Sequence, residues 1–223
     1  MNLADRNETR RIILARHGQT EWNKEFKFQG RTNVQLTEEG KRQAHSLASR
    51  LSSWPPEVIY TSPLDRAKYT ASAIASRFNL EPVILPELEE INFGTWEGQS
   101  LIALENEHHE EYSRWRSDPF FNPPEGAEDW EHLSTRLSRA VKVMLDGPQR
   151  RIIAVSHGGI MRALYAVFLG LNPHKTWNID VANCSMSGIE IHKGRPWLSF
   201  TNDNMHIRAG EYGEKLPVWG DMN

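Results

Sequence analysis

The chain is poor in cysteine: Cys184 is the only one in 223 residues. It cannot close an internal disulfide, so the fold must rest on a packed core, the pattern of a reducing compartment. Long apolar runs are missing as well. No stretch reaches the roughly 20 residues that a bilayer-spanning helix needs, and Met1 to Arg10 holds no apolar segment of a secretory leader. Positive charge is not in excess. The net charge is −3 and the pI about 6.3, which leaves no global field for nucleic acid or an anionic membrane. Low-complexity segments and linkers are absent too.

A metal-ligand set is also lacking. His108-His109 with Glu105, Glu107, Glu110 and Glu111 comes nearest. Adjacent histidines on a helix face different directions, so the group reads as a solvated helix face. Together these absences set the expectation of a cytoplasmic protein with no membrane or nucleic-acid partner, no metal and no cofactor. The oligomeric state is left open, a homodimer included.

What is present is an alternation of strands and helices. Ile12 to Ala15 form a continuous apolar run, the mark of a strand covered on both faces. Thr37 then caps a helix with the stripe Ala44, Leu47, Ala48 and Leu51. Val58-Ile59-Tyr60 is a second strand. Ser62 is placed as an N-cap, with Pro63 at the first helical position and Arg66 in the first turn of a helix through Ala67, Ala71, Ile74 and Phe78. Residues 82–85 make a third strand, and 100–116 read as a polar helix. Trp130 to Met144 is an amphipathic helix stopped by Gly147-Pro148. A strand over 151–155, a helix through Met161 and Phe168, and late strands at 187–192 and 197–201 follow. The expectation is an α/β fold, a three-layer α/β/α sandwich. Residues 1–10 are set down as a disordered tail, 11–208 as the domain and 209–223 as an irregular tail.

Two strands end alike, in Arg16-His17-Gly18 and in Ser156-His157-Gly158-Gly159. Ligands of open α/β sheets bind outside the carboxyl ends of the strands. Two histidines delivered there, one beside an arginine, suggest an anion site. Arg66 points the same way, because a helix start offers free N–H groups and arginine adds a fork of donors.

The ordered set is more specific than any member. Arg16-His17-Gly18, Asn23 six residues after His17, Ser62-Pro63-x-x-Arg66-Ala67, Glu90 four residues before Gly94, and Ser156-His157-Gly158-Gly159 resemble the histidine phosphatase superfamily, its phosphoglycerate-mutase-like branch 1. Gln29-Gly30, Leu36-Thr37-x-x-Gly40, Glu97-Gly98 and Asn202-Asp203-x-x-His206 add to the likeness, which runs from about Arg11 to His206. The resemblance implies that His17 is the nucleophile that becomes phosphorylated. It implies that Arg16, Arg66 and His157 surround the phosphoryl group, that Asn23, Gln29 and Gly158 help hold it, and that Glu90 donates the proton. It further implies a mostly parallel sheet and a helical flap inserted over about 98–127.

The chemistry accounts for these residue types. A phosphomonoester repels nucleophiles because it is anionic, and fixed cations spread that charge in the transition state. Arginines supply permanent charge in a shape that matches phosphate oxygens. An attacking imidazole needs a lone pair on one nitrogen, with the other held by a carbonyl, expected at the Gly18 turn. A carboxylic acid protonates the leaving alkoxide and then activates water against phosphohistidine. The expected substrate is a small phosphomonoester. Two alternatives compete: a bisphosphoglycerate-dependent phosphoglycerate mutase, and a phosphoprotein-binding domain without turnover. The segment Glu87 to Ala127 favours the phosphatase. It holds ten acids and only two bases, Arg114 and Arg116, a poor setting for a second anionic anchor. Trp96, Trp115, Phe120 and Phe121 are expected to give apolar walls instead.

Overall fold

A computed structural model of the chain describes residues 9–212. Strand β1 (Arg10–Arg16) lies at the middle of a six-stranded sheet of order β3-β2-β4-β1-β5-β6. Its parallel neighbour is β4 (Arg151–Ser156), with Ile12 beside Ile152 and Arg16 beside Ser156. β2 (Val58–Thr61) and the short β3 (Val83–Ile84) continue the parallel half. On the other side β5 (Met186–His192) and β6 (Arg195–Asp203) form an antiparallel hairpin. The sheet is therefore mixed, with four parallel strands and a two-stranded antiparallel edge.

The period of two along β1 divides the core. Ile12 and Leu14 face one layer, where α6 (Trp130–Asp146) and α7 (Gly158–Leu169) supply Leu133, Leu137, Ile160 and Leu164. Ile13 and Ala15 face the other, where α2 (Glu38–Arg50) and α3 (Asp65–Ala75) supply Ala44, Leu47, Ala71 and Ile74. Burying each aliphatic side chain contributes about 1.5–3 kcal/mol. This is the expected three-layer sandwich. Thr37 caps α2 as expected, its side chain accepting from the Gly40 N–H.

Several boundaries differ from the sequence reading. Strand β1 begins at Arg10, inside the supposed tail. The Arg10 guanidinium donates to the carbonyls of Met144, Leu145 and Gly147, closing the C-terminal end of α6. Residues 1–8 lie outside the described part. Ser62 does not cap α3. Leu64 occupies the cap position without a side-chain bond, and the Ser62 Oγ accepts from the Leu64 N–H at 3.3 Å. The segment 100–116 is two helices, α4 (Leu101–Glu107) and α5 (His109–Ser117), broken at His108. The loop after Gly18 contains a one-turn helix, α1 (Glu21–Lys24). A further one-turn helix, α8 (Pro173–Thr176), comes after α7.

The chain beyond residue 208 is not irregular at its start. Helix α9 spans Met205–Tyr212. Asp203 accepts the Met205 N–H at 3.2 Å, and Ile207 packs on the α2–α3 layer. The rest of that tail, 213–223, lies outside the described residues.

Candidate active site

The carboxyl ends of β1 and β4 open into a cavity of about 350 Å³, within the usual size of a small-molecule site. Of the residues singled out in sequence, Arg16, His17, Asn23, Gln29, Arg66, Glu90 and Gly158 all line it. His157 does not. It sits fully buried against His17, with ring centroids 5.1 Å apart.

The His17 ring is oriented by its own turn. Nδ1 lies 2.7 Å from the Gly18 carbonyl oxygen. A carbonyl only accepts, so Nδ1 carries the hydrogen and Nε2 the lone pair. Burial first, then the charges of Arg66 and Arg16, hold this imidazole well below the usual histidine pKa of 6.5. It is neutral at physiological pH and nucleophilic at Nε2. Two close contacts set the turn: a Cβ on Gly18 would lie 2.2 Å from the Gly40 carbonyl oxygen, and one on Gly40 2.0 Å from that of Gln19.

Arg66 spends its donors on protein. Nη1 reaches Thr32 O at 2.8 Å, Nη2 reaches Gly30 O at 2.7 Å and Nε reaches His157 Nδ1 at 3.2 Å. His157 Nε2 lies 2.7 Å from Ser62 Oγ. Arg16 gives Nη1 to Val181 O at 2.7 Å, and its buried Nε has no partner. Burial lowers the Arg16 and Arg66 guanidiniums each to about 10, and at Arg16 the nearby Arg162 adds to this. Both remain charged at neutral pH.

The rival acids separate by position. Glu97 accepts from Arg31 N, Thr32 N and Thr32 Oγ1 and holds that loop. Glu89 pairs with Arg31 at 3.2 Å, and Glu87 lies 3.7 Å from Arg139. Only Glu90 of these lines the cavity. Its carboxyl accepts from Ile91 N at 3.0 Å, Ile160 N at 3.2 Å and Gly159 N at 3.3 Å, the last two at the start of α7. Asn23 Oδ1 takes the Thr20 N–H and the Asn183 amide. Gln29 Oε1 takes the Thr20 hydroxyl at 2.9 Å. In each case the oxygen is occupied, which leaves the amide NH₂ as the group available to an anion.

Three contributors escaped the sequence reading, and a fourth, Ser62, was read there only as a cap and a member of the ordered set. Asn183 donates to His17 O and to Asn23 Oδ1. Arg136 of α6, buried, gathers the carbonyls of Glu87, Glu89 and Glu90 and so fixes the acid's segment. Ser62 supports His157. Arg162 lines the cavity one turn into α7. Of the three, only Arg162 had a signal in sequence, an i+4 position from Gly158 on a helix that starts at the site. The apolar walls also differ. Trp115 lines the cavity, with Trp22, Phe26, Phe28, Phe93 and Trp177. Trp96 and Phe120 are in the core, and Phe121 stacks on His174. Among the described residues no group of His, Cys, Asp or Glu is placed to hold a metal ion, and no helix is long and apolar enough to cross a membrane.

A neutral, oriented imidazole among buried guanidiniums, with one carboxyl in the same cavity, defines an α/β enzyme that handles a compact anion. Comparison with known proteins gives the class its name. The family model described as histidine phosphatase superfamily (branch 1) matches residues 12–204. Phosphoserine phosphatase 1 of Hydrogenobacter thermophilus is 33% identical over 207 residues, covering 91% of this chain and 95% of that protein. A probable phosphoglycerate mutase of Yersinia enterocolitica is 34% identical over 194 residues, covering 84% of this chain and 87% of its own. A solved mycobacterial glucosyl-3-phosphoglycerate phosphatase superposes with a TM-score of 0.81 at 29% identity, over 86% of this chain and 98% of its own. The chain belongs to the histidine phosphatase superfamily, branch 1.

Proposed function

We propose that this phosphatase hydrolyses small organic phosphomonoesters through a phosphohistidine on Nε2 of His17, with Glu90 as the proton donor. The observation that carries the reading is the 2.7 Å contact between His17 Nδ1 and the Gly18 carbonyl. A histidine that merely supported the fold would gain nothing from a bare lone pair turned to a cavity of cations.

Each step uses residues of this cavity. The phosphoryl oxygens enter among Arg16, Arg66 and the amides of Asn23 and Gln29, with Gly158 lining the same cavity. Nε2 forms a bond to phosphorus as the bond to the ester oxygen breaks. Glu90 gives its proton to the departing alkoxide, which leaves as the alcohol. Water then attacks phosphohistidine, Glu90 takes the water proton, and phosphate departs with His17 neutral again. The two arginines balance the charge of the transferring group throughout. His157, neutral and buried, serves by holding Arg66 and packing on His17. Burial first, then the charges of Arg66, Arg16 and Arg136, keep it well below its usual pKa.

The phosphatase reading is favoured over mutase chemistry by the placement of the flap's bases. Arg114 and Arg116 are exposed, and neither lines the cavity. The reading needs no metal, and a strong chelator should leave turnover unchanged. The direct test is to quench the enzyme with labelled substrate. An acid-labile, alkali-stable phosphate should form, and His17→Ala should remove both label and turnover. A label that survives the substitution would sink the assignment.

A further inference from the structure

Four cations line the cavity: Arg16, Lys27, Arg66 and Arg162. Lys27 is already paired, 2.7 Å from Glu25. The three arginines make no ion pair among the described residues. They are held by carbonyl oxygens and one imidazole nitrogen. A buried charge without a counter-charge is costly, and it persists where a ligand supplies the charge. The phosphoryl group accounts for Arg16 and Arg66. Arg162 is left over.

Its geometry is that of a binding group. Nε donates to Ile179 O at 3.0 Å and Nη1 to Gly158 O at 3.2 Å. The guanidinium carbon lies 5.1 Å from the centre of the Trp177 ring. Nη2 has no protein partner and is not shut away from solvent. The arginine is thus clamped on one edge and open on the other, with its entropy cost already met. Its pKa is lowered by burial against the opposing fields of Glu90 and the exposed Asp180. It also stands close to the phosphoryl site. A Cβ on Gly158 would lie 3.3 Å from Arg162 Nη1 and 3.5 Å from Arg16 Nε.

The ligand's charge can be counted. In the state that donates the proton, when Glu90 is neutral, the three arginines carry three positive charges and the histidines none. A phosphomonoester dianion cancels two. Resting on the phosphatase reading, we propose that Arg162 binds a carboxylate on the alcohol part of the substrate, so that the preferred substrates are phosphate esters of small hydroxy acids. The flap's acidity argues against an anchor from that segment only; this cation arrives on α7. The closeness of Arg162 to Arg16 sets the carboxylate a few bonds from the ester oxygen.

Substrate pairs that differ only in that group test the proposal. One pair is 3-phosphoglycerate and glycerol 3-phosphate; the other is O-phosphoserine and O-phosphoethanolamine. In the wild type kcat/KM should favour the carboxylated member of each pair by about tenfold to a hundredfold, the range of a charge-assisted hydrogen bond. Arg162→Met should collapse that ratio through KM, and Arg162→Lys, which keeps the charge, should restore part of it. A ratio near one in the wild type, or equal loss on both members in the variant, overturns the proposal. Equal loss would mean that Arg162 serves the phosphoryl group or only holds the Ile179 loop. Calorimetric binding of the same four compounds to His17→Ala protein, with and without Arg162→Met, reads the preference without turnover. The carboxylate anchor therefore stands or falls separately from the phosphohistidine.

Discussion

The Nε of Arg66 donates to Nδ1 of His157 at 3.2 Å. A guanidinium has no acceptor, so this contact puts the lone pair of His157 on Nδ1 and its hydrogen on Nε2, 2.7 Å from Ser62 Oγ. The end of β2, the start of α3 and the end of β4 are tied together through one neutral ring. His17, 5.1 Å away centre to centre, is neutral for the same reasons of burial and surrounding positive charge.

Two histidines kept neutral make stability depend on pH. Both folded-state pKa values lie well below 6.5. Below about pH 6.5 the unfolded chain binds protons on these rings and the folded chain does not. Their contribution is therefore fully present above that pH and is lost as pH falls beneath it, by up to about 1.4 kcal/mol per pH unit for each ring. Urea unfolding of wild type and His17→Asn between pH 7.5 and 5.0 should show a shallower decline in the variant. Equal slopes would mean that His17 titrates normally in the folded protein.

The sequence made the two sheet layers and most of the cavity readable because both follow short-range rules. Ile12 to Ala15 had to be a buried strand, and a helix start after a strand end had to face the sheet's carboxyl edge. The His17 tautomer was expected because a glycine turn places a carbonyl beside the ring. Asn183 and Arg136 were not readable. Asn183 acts across 160 residues on Asn23, and Arg136 grips carbonyls 46–49 residues away. Neither distance leaves a period or spacing in the chain. Ser62 was misplaced for a related reason. Its hydroxyl satisfies the rule for an N-cap, but the tertiary fold gave it His157 as a partner. The last residue of that first tail hid likewise, since Arg10 reads as polar until the end of α6 is seen beneath it.

The contact between Gly18 and Gly40 carries a second prediction. A methyl group on Gly40 would lie 2.0 Å from the Gln19 carbonyl oxygen. Backbone must move, because neither partner is a flexible side chain. Gly40→Ala should cost about 1–3 kcal/mol of stability by overpacking. It should also lower kcat/KM by an order of magnitude or more, because the displaced turn contains the carbonyl that orients His17. Denaturant midpoints and steady-state rates on an aryl phosphate read the two effects. Lost stability with unchanged kcat/KM would show that the turn shifts without disturbing the nucleophile.

Glu90→Gln separates proton donation from every other role of that carboxyl. The amide matches the acid in size and can still accept from Ile91 N and Ile160 N, which meet Oε1 at 3.0 and 3.2 Å. It cannot release a proton to a leaving group. An alkyl alkoxide needs that proton and an aryl oxide, being far less basic, does not. Phosphorylation of His17 by an alkyl phosphate should therefore slow by about 10²–10⁴-fold, the usual worth of general acid help. With an aryl phosphate the same step should slow by less than an order of magnitude. Steady-state rates would blur the contrast, because Glu90 also acts as the base when water attacks phosphohistidine, a step common to all substrates. Single-turnover measurements, with enzyme in excess and the alcohol product followed directly, isolate the first step. With substrate in excess, an aryl phosphate should instead show a burst of phenol followed by slow turnover, since the intermediate accumulates when its hydrolysis lacks a base. Equal slowing of the first step for both substrate types would remove Glu90 as the acid and leave it the role of a carboxyl that fixes the start of α7.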